Sequence, residues 1–191
     1  ERDGGDPTDA VVRLLQHIGE DPNREGLVKT PERVVKALRE MTAGYGEDPV
    51  AILNSARFHE ANSDEVIIVG PFPVQSMCEH HMLPFTGHCV IGYIPGEGDD
   101  AVITGLSKLP RAAHAVMHRL QVQERATAQI ADAIEEALNP RGVGVVVRAV
   151  HACAELRGVR TRTPMTTSVM RGWLRDLPAA RSELLALIGE P

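Results

Sequence analysis

The stretch MCEHHMLPFTGHC, residues 77 to 89, holds two cysteines, three histidines and a glutamate. Cys and His at short spacing are the ligand types zinc favours, with the set often completed from elsewhere in the chain. Cys78 and His81 are three apart, so one tight turn can aim both side chains at one point. His80 and His81 are neighbours and diverge, so only one of them is expected on a given ion. The third ligand is expected from HAC at residues 151 to 153. Cys153 would end a strand there, with His151 two residues earlier on the same strand face. A lone Cys is more often a small buried hydrophobe, and Cys89, in an alternating strand with no partner in view, keeps that reading. For CEHH together with HAC, metal ligation is the stronger reading. His88, His114 and His118 are expected to face solvent or to serve structure.

Ligand count sets the type of site. A structural zinc usually takes four protein ligands, and only Cys78, His81 and Cys153 can be nominated. A Cys₂His set leaves a position for water, whose pKa a metal brings down towards about 7. Two thiolates weaken the ion as a Lewis acid, so proton acceptors beside it matter; His80 and His151 are placed to serve. The cluster reads as hydrolytic.

A second group of residues suits an anion. In GLSKLPR, Ser107 can cap a helix whose first turn carries Lys108 and Arg111 on one face, an arrangement fit for phosphate. RGVRTR, residues 157 to 162, adds Arg157 and two further arginines just past Cys153. In QVQER, Gln123 and Glu124 fall between two helical runs, and a carboxylate there can accept two hydrogen bonds from a guanine edge. Arg33 and Lys36 share a helix face in TPERVVK, which by itself reads as a solvated face.

These residues need a scaffold, and the 191-residue chain is long enough to bury a core. Hydrophobic residues make up 43% and aromatics 3%, so that core must rest on Val, Leu, Ile, Ala and Met. A net charge of −6 argues against bulk nucleic-acid or membrane binding. Three cysteines make a poor disulfide framework and fit a reducing, cytoplasmic setting. No apolar run of about 18 residues is present, nor a secretory h-region; because Glu1 is not a methionine, the start is expected upstream. Asp6-Pro7 and Thr30-Pro31 each read as a helix cap followed by proline. The second helix is expected to run through Met41 and stop at Gly44. DEVIIVG then reads as a strand followed by an extended PFPV, and GHCVIGYIP and AVITG as strands. Ser107 to about Leu138 is helical with a break near Leu120-Gln121. GVGVVVRAVHAC is a strand partnered by TTSVMRGW, and SELLALIG is a closing helix. The order predicts a single α+β domain, helical over about residues 1–60 with the catalytic core over about 61–191.

CEHHMLPFTG, GLSKLPR, QVQERATAQIADAI and HACAELRGVRT with TTS following resemble GTP cyclohydrolase I in order and spacing, as does IGEDPNREGLVKTPERV near the N-terminus. The resemblance spans about residues 8 to 188. It implies a tunnel fold, an antiparallel sheet backed by helices, and conversion of GTP and water to formate and 7,8-dihydroneopterin triphosphate. It implies Zn²⁺ on Cys78, His81 and Cys153, and proton transfer by His80 and His151. Ser107, Lys108, Arg111 and Arg157 match triphosphate-binding positions, Gln123 and Glu124 the guanine end, and Arg33 and Lys36 basic positions near the pocket mouth. It further implies a toroidal homodecamer with sites between neighbouring subunits. Pro110 stands where a small residue is usual and removes one N–H from the helix start; His88 stands where lysine is common. A non-catalytic zinc brace and a tunnel-fold relative with another purine-like substrate are the rival readings. A nucleobase deaminase is disfavoured, because it needs a C-x-x-C that the chain lacks.

Overall fold

The computed structural model describes residues 5–60, 65–98 and 101–189, and the chain divides into one compact unit through Ala43 and a second from Gly44. Asp64, the first residue of DEVIIVG, lies outside the described residues. In the first unit, α1 (Pro7–His17) starts as expected, with Asp6 accepting a hydrogen bond from the Thr8 N–H at 2.9 Å. Its partner α2 (Thr30–Met41) corrects the second cap expectation. Thr30 is already helical, Lys29 holds the cap position, and no side chain caps the end. Proline as the second helical residue sets the entry without the hydroxyl. The helix also stops at Met41, short of Gly44. No α1 residue is buried, and Pro31 is the one buried residue of α2.

The second unit opens with α3 (Pro49–Asn54), capped by the Asp48 carboxylate, which accepts from the Val50 and Ala51 N–H groups. A small ribbon pairs β1 (Arg57–His59) with β4 (Val102–Thr104). The main sheet runs in the order β5 (Leu120–Gln121), β2 (Ile67–Cys78), β3 (Pro84–Ile94), β6 (Gly142–His151), β7 (Met165–Gly172). Every pairing is antiparallel except β2 with β5. β2 corrects the expected strand-then-extended reading: it continues through PFPVQSMC, with its register shifting between Val69 and Phe72. A bulge there, at the Gly70-Pro71 step, absorbs the proline that cannot donate to the ladder.

One face of this sheet carries Val74, Phe85, Cys89, Ile91, Tyr93, Val143, Val145 and Val147 against α4 (Lys108–Met117) and α5 (Gln123–Leu138). Those helices present small residues, Ala112, Ala113, Ala126 and Ala131, between Leu109, Val116, Ile130 and Ile134. Alanine lets the helices sit close, and each fully buried Val, Leu or Ile contributes about 1.5–3 kcal/mol. On the opposite face α7 (Trp173–Asp176) and α8 (Pro178–Ile188) pack Leu174 and Leu184 on Ile94. Glycine admits α8 here: a Cβ on Gly92 would fall 2.4 Å from Leu184 Cδ1, and one on Gly144 2.6 Å from Leu184 Cδ2. The α+β architecture, a mainly antiparallel sheet backed by helices, is the one the family resemblance implies.

Three chain segments meet at one end of the sheet. The β2–β3 connection is a tight hairpin, with the Cys78 N–H donating to Leu83 O at 2.9 Å and the Met82 N–H to Cys78 O at 2.8 Å. The register then sets Phe85, just beyond that hairpin, opposite His151 at the end of β6. Cys78 pairs with Gln121 of β5, two residues before α5 begins.

Candidate active site

The hairpin holds Cys78 buried at the end of β2 and exposes His80 and His81. Cys153 corrects the strand expectation: β6 ends at His151, and Cys153 sits in α6 (Ala152–Glu155), a single helical turn. A helical turn after the strand brings the sulfur back towards the hairpin, where a continued strand would carry it away. The Cys78 sulfur, a His81 ring nitrogen and the Cys153 sulfur lie within 4.8 Å of one another. His81 Nδ1 is 3.7 Å and His80 Nδ1 4.0 Å from Cys78 Sγ. The His80 and His81 rings stand at 85° to each other, the divergence expected of neighbours.

The donor chemistry fits a zinc ion. Two sulfurs and one imidazole are soft and borderline ligands suited to zinc, and three donors leave a fourth position open. Burial, reinforced by Cys78 beside it, pushes the Cys153 thiol up from its ordinary value, so this thiol resists ionising unless a cation lies beside it. Cys89 is separate from this group: it is fully buried in the core, and burial pushes its thiol up to about 12. That is a structural cysteine.

Charged groups frame the site. Arg157 Nη1 donates to Cys153 O at 3.0 Å and lies 3.4 Å from His81 Nε2. An ion pair between Glu79 and Arg125 ties the hairpin to α5, and the Glu79 N–H donates to Gln121 O at 3.0 Å. The Arg125 guanidinium holds the Glu79 carboxyl below its ordinary range. Sequence reasoning missed this pair, although opposite charges one residue from each motif (CEHH and QER) were the available signal.

His151, half-buried, stacks on Phe85 with ring centroids 4.5 Å apart and planes at 10°. Its Nε2 lies 2.8 Å from Gln123 Oε1. Burial lowers its pKa, and the nearby Glu124 carboxylate opposes that. Gln123 and Glu124 begin α5 but face different ways. Gln123 is 1% exposed, and its amide is bonded to protein at both ends. Glu124 is exposed. Neither Phe85 nor the inward turn of Gln123 was read from sequence.

Ser107 stands at the start of α4, but its hydroxyl makes no capping bond, contrary to expectation. The residue is already αR, at φ −71°, ψ −13°, so the helix start is closed by backbone, with the Lys108 N–H donating to Gly105 O at 2.8 Å. The hydroxyl therefore remains available to a ligand. Among the described residues no hydrogen bond or ion pair links Ser107, Lys108 or Arg111 to the Cys78–His81–Cys153 group. Arg111 instead lines a cleft with Glu47, Asp48, His114 and His118. Arg33 and Lys36 lie on α2 in the first unit, Lys36 approaching Glu40 at 3.9 Å. His88 is exposed on β3, while His114 and His118 are partly buried and stack at 5.6 Å.

The comparisons with known proteins agree among themselves. GTP cyclohydrolase 1 of Chlorobaculum tepidum is 52% identical over 186 residues, covering 97% of this chain and 81% of the relative. The enzyme of the same name from Methylococcus capsulatus is 48% identical, covering 93% and 94%, and that from Gloeobacter violaceus 48%, covering 98% and 86%. A solved archaeosine synthase QueF-like structure in the apo form aligns over 58% of this chain with 14% identity and a TM-score of 0.45. The GTP cyclohydrolase I family model matches residues 8–189, and the chain belongs to that family.

Proposed function

We propose that the protein is a zinc-dependent GTP cyclohydrolase, converting GTP and water to formate and 7,8-dihydroneopterin triphosphate, the entry to pterin synthesis. The observation that carries this is the Cys78–His81–Cys153 donor group, set in a chain of the GTP cyclohydrolase I family with two histidines beside it. Cys78, His81 and Cys153 would hold a zinc ion, which would supply Lewis acidity for the hydrolysis of the purine imidazole ring.

The remaining work falls to the chain. His80 and His151 take and return protons as the imidazole ring opens and formate leaves, a role suited to groups with pKa values near neutrality. Burial keeps His151 neutral, and so able to accept a proton, further into the acid range than an ordinary histidine. The exposed Glu124 carboxylate accepts from the guanine N1–H and exocyclic amine, whereas Gln123, which the resemblance assigns to the same end, turns inward to His151. Lys108, Arg111 and Arg157 make no ion pair with a carboxylate among the described residues, and with the Ser107 hydroxyl they hold the triphosphate. Among the described residues no hydrogen bond or ion pair joins Ser107, Lys108 or Arg111 to the metal ligands, which is compatible with the homodecamer that the family resemblance implies, in which they would serve the site of a neighbouring subunit. Arg33 and Lys36, in the first unit, are assigned to the substrate by the family resemblance alone.

The test is GTP turnover by purified protein, read as formate release and as pterin fluorescence after oxidation. Both products in equal amounts are expected. Intact, zinc-loaded protein yielding neither would leave the metal as a brace, or the fold with a different substrate.

A further inference from the structure

Gln123 is buried with its –NH₂ group fully engaged by protein, and its orientation is fixed from behind. Its amide nitrogen lies 3.0 Å from Val147 O, 3.0 Å from Met165 O and 3.1 Å from Thr167 Oγ1. Two of these partners are backbone carbonyls, which only accept, so the –NH₂ end must face them and the oxygen must face His151. The hydroxyls agree. Thr127 Oγ1 donates its one proton to Gln123 O at 2.7 Å, so Thr167, at 2.7 Å from Thr127 Oγ1, must donate to it. Thr167 Oγ1 is then left to accept from Gln123. No buried side-chain nitrogen or oxygen among the described residues lacks a partner.

We propose that Gln123 is a positioning residue that fixes the tautomer of His151, holding the proton on Nε2 and leaving Nδ1 as the ring's only proton acceptor. Gln123 Oε1 can only accept, and at 2.8 Å it claims the single N–H of a neutral imidazole. Phe85, stacked on the ring at 4.5 Å, stops it from flipping to offer the other nitrogen. The direction of proton transfer at His151 is thus set by two backbone carbonyls and two threonine hydroxyls that lie behind Gln123. This rests on the reading of His151 as a proton-transfer residue of the cyclohydrolase reaction.

The deciding experiment is solid-state ¹⁵N NMR of the zinc-loaded enzyme with labelled histidine, His151 being assigned by difference from His151→Asn. A protonated Nε2 with a bare Nδ1 is expected. A protonated Nδ1, or an even mixture, would overturn the proposal, and neither result requires a variant of Gln123 to fold. Gln123→Met should then scramble the tautomer and lower kcat on the order of 10–100-fold, the range typical of residues that hold a functional histidine. KM for GTP and bound zinc should stay near wild type. A raised KM with kcat intact would instead put Gln123 on the substrate and overturn the assignment. Wild-type enzyme showing the Nε2–H ring but no GTP turnover would sink the cyclohydrolase reading while supporting the tautomer.

Discussion

At the scale of single residues, the ligands and their helpers separate by what each contacts. His151 belongs to the β6 end and to Gln123, not to the sulfur pair. His151→Ala is therefore expected to keep its zinc and lose about 10²- to 10⁴-fold in turnover, the usual worth of a proton-transfer group. Metal analysis beside a rate measurement checks this, and normal turnover would remove His151 from the chemistry. His118 gives a stability prediction. Burial lowers its pKa from 6.5, the charge of His114 adds to the effect, and Glu47 opposes it. A histidine lowered on folding binds its proton more readily when unfolded, so its stabilisation is complete above about 6.5 and is lost as pH falls below that. The urea midpoint should thus drop between pH 7.5 and 5.5 by more in wild type than in His118→Gln. An equal drop in both would contradict it. The ligands could be read from sequence because Cys and His at that spacing are rare and their chemistry narrow. Gln123 behind His151 could not be, because its partners Val147, Met165 and Thr167 come together only through the β6–β7 pairing and α5.

At the scale of elements, the site is a junction of strand ends. The CEHH hairpin closes on itself through Cys78, Leu83 and Met82, and Met82 adopts φ 52°, a left-handed conformation few side chains accept. A β-branched residue fits there worst and glycine best. Met82→Ile should therefore cost about 1 kcal/mol or more and speed zinc loss to a chelator, while Met82→Gly should retain zinc as wild type does. Equal zinc loss from both would show that the backbone at Met82 does not shape the ligand turn. Strand and helix order was largely legible, since alternation in GHCVIGYIP and the apolar stripes of α4 and α5 are local signals. Three details were not. β2 passes through Pro71 and Pro73 because a bulge and strand pairing outweigh proline's reluctance. Cys153 leaves the strand because the chain turns helical at Ala152. The starts of α2 and α4 use proline and backbone in place of the Thr30 and Ser107 hydroxyls.

At the scale of the whole molecule, the proposed reaction asks an acidic chain to bind a polyanion, which takes a local group of cations. Lys108, Arg111 and Arg157 are the ones proposed for this within a net charge of −6. Among the described residues Lys108 and Arg111 make no hydrogen bond or ion pair with the metal ligands, so the shared site proposed above would need assembly. Leu14 and Ile18 of the first unit are 63% and 70% exposed, apolar surface that assembly would cover. Light scattering should give a mass of about ten chains, and Leu14→Ser with Ile18→Ser should lower both mass and turnover. A monomer working at full rate would contradict the shared site. Residue spacing says nothing about which subunit a side chain serves, so a shared site was legible only through the family resemblance. The most direct test measures bound zinc and formate release on the same samples of Cys78→Ser, Cys153→Ser and, as control, Cys89→Ala. Zinc and formate should vanish together in the first two and persist in the third. Full zinc and full turnover in either serine variant would contradict the site described here.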